Sequence, residues 1–459
     1  MELRDYQNVT IARVEASLHR RVMIQSPTGS GKTVIACELI SRSVERGHRV
    51  LFVAHREELI NQAVARLKGF GVEPGVIMAD DGRVNHYHPV QVASIATLSA
   101  RRMAPPADVV IVDEAHRSAA GSYANLTDKY PHARIMGLSA TPVRQDDKPL
   151  GKIYDEMICV ASVGALIERG HLVRPQTWVV KPPAGLAQTP EQDEAESERL
   201  YMSVVADHVQ SYAQHGIGRR GIIFAQSVAH SQALARSISA ACGVAVVHLD
   251  GSTPSAKRRE AILALRDGTI DAISNVGLYV EGFDEPSIDL VMICRNTKSL
   301  GAYIQMGGRG LRPYPGKTGC KIIDCNGSTH LHGAVDDDRD WSLSDVPQRK
   351  PGTGTVVCHG CGFVFARGVP ACPECGRPVA KPKAVDTSKF KAEPQKAGLM
   401  LWTPAATPKK LKGRDLETAI SRCTSHADLV SLASRQGYLR GWAWHVWKNH
   451  PKNKARIAG

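Results

Sequence analysis

Residues Ser26–Thr33 read SPTGSGKT, entered from the strand-forming run Arg21–Ile24 and left through an apolar-periodic stretch that starts at Thr33. A strand that runs into a Gly-rich turn and out into a helix belongs to a parallel sheet with helices packed on its faces. The string fits G-x-x-x-x-G-K-[ST], with Ser26 where the first Gly usually stands, then Gly29, Gly31, Lys32 and Thr33. Small residues let backbone N–H groups turn inward around a phosphate chain, and the following helix adds its positive N-terminal end. Pro27, Thr28, Gly29, Ser30 and Gly31 are thus candidates to wrap the phosphates of ATP. Lys32 is placed to reach the β- and γ-phosphates, and the Thr33 hydroxyl to ligate Mg²⁺. Some eighty residues on, Ile111–His116 reads IVDEAH at the end of the strand run Val109–Val112. Asp113 there is a candidate Mg²⁺ ligand through water, and Glu114 a candidate to orient the attacking water. A Gly-rich turn alone is usually a helix cap. The flanking strand and helix, together with the acidic pair, favour the phosphate loop.

Short Val/Ile-rich runs alternate with helical stretches through the first 145 residues: Val22–Gln25, Val50–Ala54, Val90–Ile95, Val109–Val112 and Ile135–Leu138. A second alternating unit contains Gly221–Ala225, Val244–Leu249, Ala272–Asn275, Leu290–Cys294 and Lys321–Asp324, with no phosphate loop of its own. The acidic stretch Glu191–Arg199 reads as helix and Asp336–Pro351 as a linker. At 459 residues and 43% apolar content the chain is long enough for two or three domains with real cores.

Seven strings in order resemble the superfamily 2 helicases and translocases. LRDYQ (Leu3–Gln7) resembles their adenine-recognition motif through Arg4 and Gln7. SPTGSGKT and DEAH follow. VAHREELINQ (Val53–Gln62) resembles the strand-contacting motif, SATP (Ser139–Pro142) the motif that couples hydrolysis to movement, and EGFDEPSID (Glu281–Asp289) the fifth motif through Gly282 and Asp284. QMGGRGLRP (Gln305–Pro313) matches Q-x-x-G-R-x-x-R through Gln305, Gly308, Arg309 and Arg312. Glu281 stands where many relatives carry Thr, so the nucleic-acid contact made by that Thr is not carried over.

The resemblance spans about Met1 to Asp324 and is nearest to bacterial and phage DNA-repair helicases of the RadD-like group and to restriction-system motors. It implies an α/β chain with two RecA-like parallel-sheet domains in tandem, ATP between them, and catalysis by Lys32, Asp113, Glu114, Arg309 and Arg312. Ser139 and Thr141 are implied as coupling residues, and His55, Arg56, Ser227 and Thr253 as nucleic-acid contacts.

Cys358-x₂-Cys361 is followed ten residues on by Cys372-x₂-Cys375, each pair running into Gly. Two such knuckles make a tetrahedral four-thiolate site suited to structural Zn²⁺, with a rubredoxin-type iron as the rival. The remaining seven cysteines are scattered, several in apolar strands (Cys294, Cys320), which fits buried thiols in a reducing compartment. From Arg377 to Gly459 seventeen Lys and Arg face five Asp and Glu, so nearly the whole net charge of +13 sits there. A basic appendage on a near-neutral body points to a polyanionic partner. Within it, RGWAWHVWKNH places Trp442, Trp444 and Trp447 among Arg440 and Lys448. Arg440, Trp447 and Lys448 are candidates for stacking on bases and neutralising phosphate, and a small Trp-centred helical core is the other reading.

The expected layout is residues 1–165 and 166–345 for the two RecA-like domains, 350–380 for a zinc ribbon, 381–412 for a flexible basic linker and 413–459 for a small helical domain. No membrane span or signal peptide is read from the chain, and the resemblance places it in the cytoplasm of a bacterial or phage-infected cell. The expected activity is ATP-dependent movement on, or unwinding of, DNA in repair, recombination or replication. The cofactors are ATP, Mg²⁺ and Zn²⁺, and a nuclease or a repair or replication factor is a possible protein partner. An RNA helicase, a motor subunit for a partner nuclease and a nucleic-acid-binding scaffold are the alternatives.

Overall fold

The computed structural model describes residues 3–79, 81–83, 85–117, 121–143, 150–180, 194–344, 348–349 and 354–379, with isolated positions at 420, 421, 429, 432 and 446. By proximity along the backbone the chain forms two units, Met1–Ala380 and Lys381–Gly459. In the second unit Leu429 and Leu432 are buried. The linker 381–412 and Trp442, Trp444, Arg440, Trp447 and Lys448 lie outside the described residues.

The first unit holds two all-parallel sheets. The strands of the first are β1 (Arg21–Gln25), β2 (Val50–Ala54), β3 (Gly75–Ile77), β4 (Val90–Ser94), β5 (Val109–Asp113), β6 (Arg134–Ser139) and β7 (Glu156–Cys159). They lie in the order β3-β4-β2-β5-β6-β1-β7. The second sheet is built from β8 (Pro175–Val179), β9 (Gly221–Ala225), β10 (Val246–Leu249), β11 (Ala272–Asn275), β12 (Leu290–Cys294) and β13 (Cys320–Asp324), in the order β10-β11-β9-β12-β13-β8. Central strands such as β2, β5 and β12 are buried along their whole length, which is why they read as continuous apolar runs. The ten strand runs legible in the sequence all pair in these sheets. Three further strands, β3, β7 and β8, were not legible there.

Parallel pairing puts the C-terminal ends of β1, β5 and β6 at one edge, with Gln25 beside Ser139 and Asp113 beside Leu138. Ligands of open α/β sheets bind at that edge. The helix Glu194–Ser203 covers part of the acidic stretch read as helical.

The segment read as a linker packs instead. Asp337 and Arg339 are buried, and Arg339–Asp340 pairs with Gln348–Arg349 in a two-stranded ladder, β14 and β15. The Arg339 guanidinium donates to the carbonyls of Asp337, His332 and Ala334 at 2.7–3.0 Å. Asp337 accepts the N–H of Ala334 at 3.0 Å. The polar groups therefore satisfy one another.

A hairpin of β16 (Thr355–Val357) and β17 (Val364–Ala366) follows. It docks on the open edge of the second sheet: Val179 N–H donates to Gly362 O at 2.9 Å. Trp178 packs between Phe363 and His215, with ring centroids 5.2 and 4.6 Å away, and Lys321 lies 5.3 Å over the Trp178 ring. Gly362 has φ +74°, and a Cβ there would sit 2.2 Å from the Val179 carbonyl, so the docking needs glycine.

Candidate active site

The loop after β1 closes with Gly29 at φ +83° and Gly31 at φ +88°, and Gly31 caps the helix Lys32–Glu45. Both glycines are held from outside. A Cβ on Gly31 would lie 2.5 Å from Gln7 Nε2, and one on Gly29 would lie 3.2 Å from Arg312 Cγ. Ser30 is fully buried and acts inward: its hydroxyl meets the Ser26 hydroxyl and the Pro27 carbonyl, each at 2.5 Å. Its carbonyl accepts from Tyr6 Oη at 2.7 Å and Gln7 Nε2 at 3.2 Å. Gln7 Oε1 accepts the Arg4 N–H at 3.0 Å. The LRDYQ segment therefore braces the loop as well as bordering the site.

A cavity of about 850 Å³ opens between the two sheets. Arg4, Gln7, Pro27, Thr28, Gly29, Gly31, Lys32, Thr33, Asp113 and Glu114 line it from the first sheet's side. Gly282, Asp284, Gln305, Arg309 and Arg312 line it from the second's. Its charged lining is five cations (Arg4, Lys32, Arg66, Arg309, Arg312) against three carboxylates (Asp113, Glu114, Asp284), which suits a polyanion with a divalent cation.

Glu114 adopts φ +49°. That conformation is costly for a side chain with a Cβ and marks functional positions. Its carboxylate sits 2.6 Å from Lys32 Nζ, and Asp113 lies 3.8 Å from the same ammonium. Burial disfavours the charged forms here, and the partners decide the balance. For Lys32, burial is outweighed by Glu114 and Asp113, so its pKa stands above the usual lysine value. For Glu114, burial is outweighed by Lys32 and His116, and the pKa falls to about 2. For Asp113, burial prevails over Lys32 and the pKa is raised. A cation beside Asp113 would reverse that, so the donor set fits Mg²⁺.

Arg309 is 5% exposed. It donates to the carbonyls of Phe283 and, at 2.6 Å, Val280, while its Nε has no hydrogen-bond partner among the described residues. Burial and then the charge of Arg312 push its pKa down to about 9. Arg312 pairs with Asp284 at 3.1 Å. A buried guanidinium held mainly by neutral carbonyls is short of negative charge, which a polyphosphate supplies.

The two lobes touch through side chains. Gln305 Nε2 donates to Glu114 Oε2 at 3.3 Å and Gln62 Nε2 to Gly282 O at 2.6 Å. Gly308 packs against the loop, where an added Cβ would stand 2.7 Å from Thr28 Cβ. Gly308→Ala is therefore expected to part the lobes and lower ATP turnover by roughly 10²-fold, as an ångström-scale misplacement does. Steady-state ATPase rates, with the melting temperature as control, check this.

Three residues of this network were not picked out from sequence: Tyr6, His116 and Glu281. His116 Nδ1 stands 3.4 Å from Glu114 and its Nε2 3.5 Å from Glu281. Glu281 in turn meets His55 Nε2 at 2.7 Å. Burial lowers the His116 pKa, but the two carboxylates overcome it and raise it to about 9. The signal available in sequence for Glu281 was its departure from Thr.

His55 and Arg56 are turned to the second lobe: Arg56 donates to Leu278 O at 2.7 Å and Gly277 O at 3.4 Å. Ser139 is buried 3.2 Å from His116 Nδ1 and accepts the Thr141 N–H at 3.1 Å. Thr141 lies against Gly301 of the second lobe. Ser227 caps the helix Val228–Cys242, and Thr253 closes a turn on Asp250. Neither borders the cavity.

Residues 1–144 match the family model described as type III restriction enzyme, res subunit, and residues 203–313 match the helicase conserved C-terminal domain. A 51.5 kDa protein of a Lactococcus phage (isolate 7-9) is 30% identical over 381 residues, covering 81% of each chain. The chain is a superfamily 2 helicase of the restriction-motor kind. The helicase is 27% identical over 398 residues to the putative ATP-dependent helicase IRC3 of Saccharomyces cerevisiae, covering 77% of this chain and 57% of the yeast protein. Its fold resembles that of an ATP-dependent type ISP restriction-modification enzyme, LlaBIII, solved bound to DNA. That likeness has a TM-score of 0.54 and 18% identity, over 70% of this chain and 27% of the other. As a helicase it is an ATP-dependent enzyme of nucleic acids. Among the described residues no helix is long and apolar enough to cross a membrane.

Proposed function

We propose that this helicase is a DNA motor in which ATP and Mg²⁺ bind in the cavity between the sheets and hydrolysis drives the lobes apart and together. The observation that carries this is the meeting of Lys32, Asp113 and Glu114 from one lobe with Gln305, Arg309 and Arg312 from the other around one cavity. Lys32 and the backbone N–H groups of the loop would hold the β- and γ-phosphates. Thr33 and Asp113 would hold Mg²⁺, which neutralises charge on the transferred phosphoryl group. Glu114 accepts the proton of the attacking water, and Arg309 and Arg312 stabilise the developing charge. The Glu114 carboxylate is already ionised, as a base must be, and Lys32 leaves it for the phosphates when nucleotide enters. DNA is favoured over RNA by the DNA-bound restriction enzyme with the same fold. The basic stretch after Arg377 supplies a second polyanion contact.

The contacts Glu114–His116–Glu281–His55 link the lobes in one line from the nucleotide cavity to the motif expected to meet DNA. Glu281→Gln keeps the shape and removes the charge. It is expected to reduce DNA stimulation of the ATPase several-fold while basal turnover changes less, and equal loss of both would count against the coupling role.

The four cysteines offer sulfurs within 4.8 Å of one another, with Sγ–Sγ separations of 3.6 and 3.7 Å across the knuckles. The Gly360 N–H points at Cys358 Sγ at 3.4 Å. This donor set fits structural Zn²⁺, and the docked hairpin makes the site a rigid extension of the second lobe. ATPase assays with single-stranded, duplex, forked and RNA polymers test the DNA reading; stimulation by RNA alone would replace it with an RNA helicase.

A further inference from the structure

A second set of soft donors lies inside the second lobe, away from the nucleotide cavity and the cysteine hairpin. Cys294 ends β12, Cys325 directly follows β13, and His208 projects from the helix Val205–His215. All three are at most 1% exposed. Their donor atoms lie within 4.8 Å of one another, and the two sulfurs are 3.5 Å apart. Two thiolates at about 2.3 Å from a tetrahedral Zn²⁺ would be about 3.8 Å apart. The pair is therefore near the spacing of metal-bound sulfurs, and near the 3.6 and 3.7 Å seen in the cysteine hairpin.

The second, independent observation is unsatisfied polarity. His208 Nδ1 is buried and has no hydrogen-bond partner among the described residues. The ring of His230, fully buried, packs against it with centroids 5.5 Å apart. His230 Nδ1 accepts the Gln226 N–H at 3.3 Å, so its proton sits on Nε2, which also lacks a partner. Buried imidazole atoms left without partners call for an ion or water. Tyr212, Ile223, Leu234 and Met292 belong to the core that holds both cysteines, and the buried carboxylate of Asp324 acts on both thiols.

We infer that His208, Cys294 and Cys325 form a second zinc site, with a water in the fourth position that accepts from His230 Nε2. Two thiolates balance the charge of Zn²⁺, so the loaded site is neutral and tolerates burial. Borderline-soft thiolate and imidazole donors select zinc over Mg²⁺. Buried as these donors are, its task is structural: it ties the helix Val205–His215 to the ends of β12 and β13, from which the chain runs on to Gln305 and Arg309 in one case and into the packed segment around Arg339 in the other.

The test is the metal content of the full chain purified with zinc present, alongside Cys294→Ser/Cys325→Ser, His208→Gln and Cys358→Ser/Cys361→Ser. The expected result is a loss of one zinc per chain in the first double variant that is separate from, and additive with, any loss in the hairpin variant, together with a lower melting temperature. Zinc content unchanged in Cys294→Ser/Cys325→Ser overturns the site. So does an intact unreduced chain lighter by two hydrogens through a Cys294–Cys325 disulfide. Should the double variant not fold, stepwise mercurial titration of the wild-type chain decides: zinc released in two separate phases supports the site, and a single phase refutes it.

Discussion

Arg309→Ala is expected to slow ATP hydrolysis by about 10³-fold or more, the scale of an arginine that stabilises a transferring phosphoryl group. Nucleotide binding should weaken far less, because the loop and Lys32 remain. Arg309 is buried at the cavity wall, pushed down to about 9 by burial and by Arg312, and held by the carbonyls of Phe283 and Val280. Those contacts are neutral, so the charge is available to an incoming phosphate. They also tie Arg309 to the EGFDEPSID loop. Loss of the side chain therefore removes a catalytic charge and a brace within the second lobe. Arg309→Lys separates the two, since lysine restores charge without the planar fork. A kcat that stays low in Arg309→Lys with a melting temperature near wild type places the effect in catalysis. Wild-type turnover in Arg309→Ala would remove Arg309 from the site.

Lys32→Ala carries the second large effect. Lys32 is the shared partner of Glu114 and Asp113, at 2.6 and 3.8 Å. Removing a preorganised charge aimed at the reacting phosphates costs about 10²–10³-fold in kcat. It also leaves the buried Asp113 and Glu114 carboxylates with His116, beside Glu114, as their nearest remaining counter-charge. Breaking a buried pair from one side costs about 3–5 kcal/mol, reduced here because burial already raises the Asp113 pKa and favours its neutral form. The variant should therefore melt at lower temperature and recover part of the loss with Mg²⁺, which replaces the missing positive charge. DNA affinity should be retained, since no part of the basic segment after Arg377 is altered. ATPase rates, thermal melts with and without Mg²⁺, and DNA binding by anisotropy measure the three consequences. Retained ATPase would contradict the phosphate-loop assignment.

Much of this was open to reading from the residues, for a physical reason. Central parallel strands are buried on both faces, so β2, β5, β9 and β12 appear as unbroken apolar runs. The strands missed are the ones that escape that rule. β3 has only three residues, and β7 is an edge strand with the half-exposed sequence EMIC. β8 begins with Pro175, which suits an edge but speaks against a strand in sequence. The DDDRD segment misled because composition counts charges without showing where they point. Arg339 and Asp337 face the chain's own backbone, and a polar knot that satisfies itself looks like a linker on paper.

At the site, local motifs were legible because a phosphate loop needs its residues at consecutive positions. The contacts of His116, Glu281 and His55 were not, since they join residues far apart in sequence through geometry that no spacing encodes. The place of Tyr6 under the loop was hidden for the same reason. The same holds for His55 and Arg56, whose side chains turn toward Glu281 and toward Gly277 and Leu278 across the cleft.

ATP hydrolysis at the interlobe cavity is proposed to be driven by DNA. The direct measurement is ATP turnover by the purified chain without polymer and with single-stranded, duplex, forked DNA or RNA, with Lys32→Ala in parallel. The expected result is low basal turnover, strong stimulation by at least one DNA form, and no stimulated turnover in Lys32→Ala. Turnover indifferent to every DNA form, or a Lys32→Ala chain as active as wild type, would contradict it.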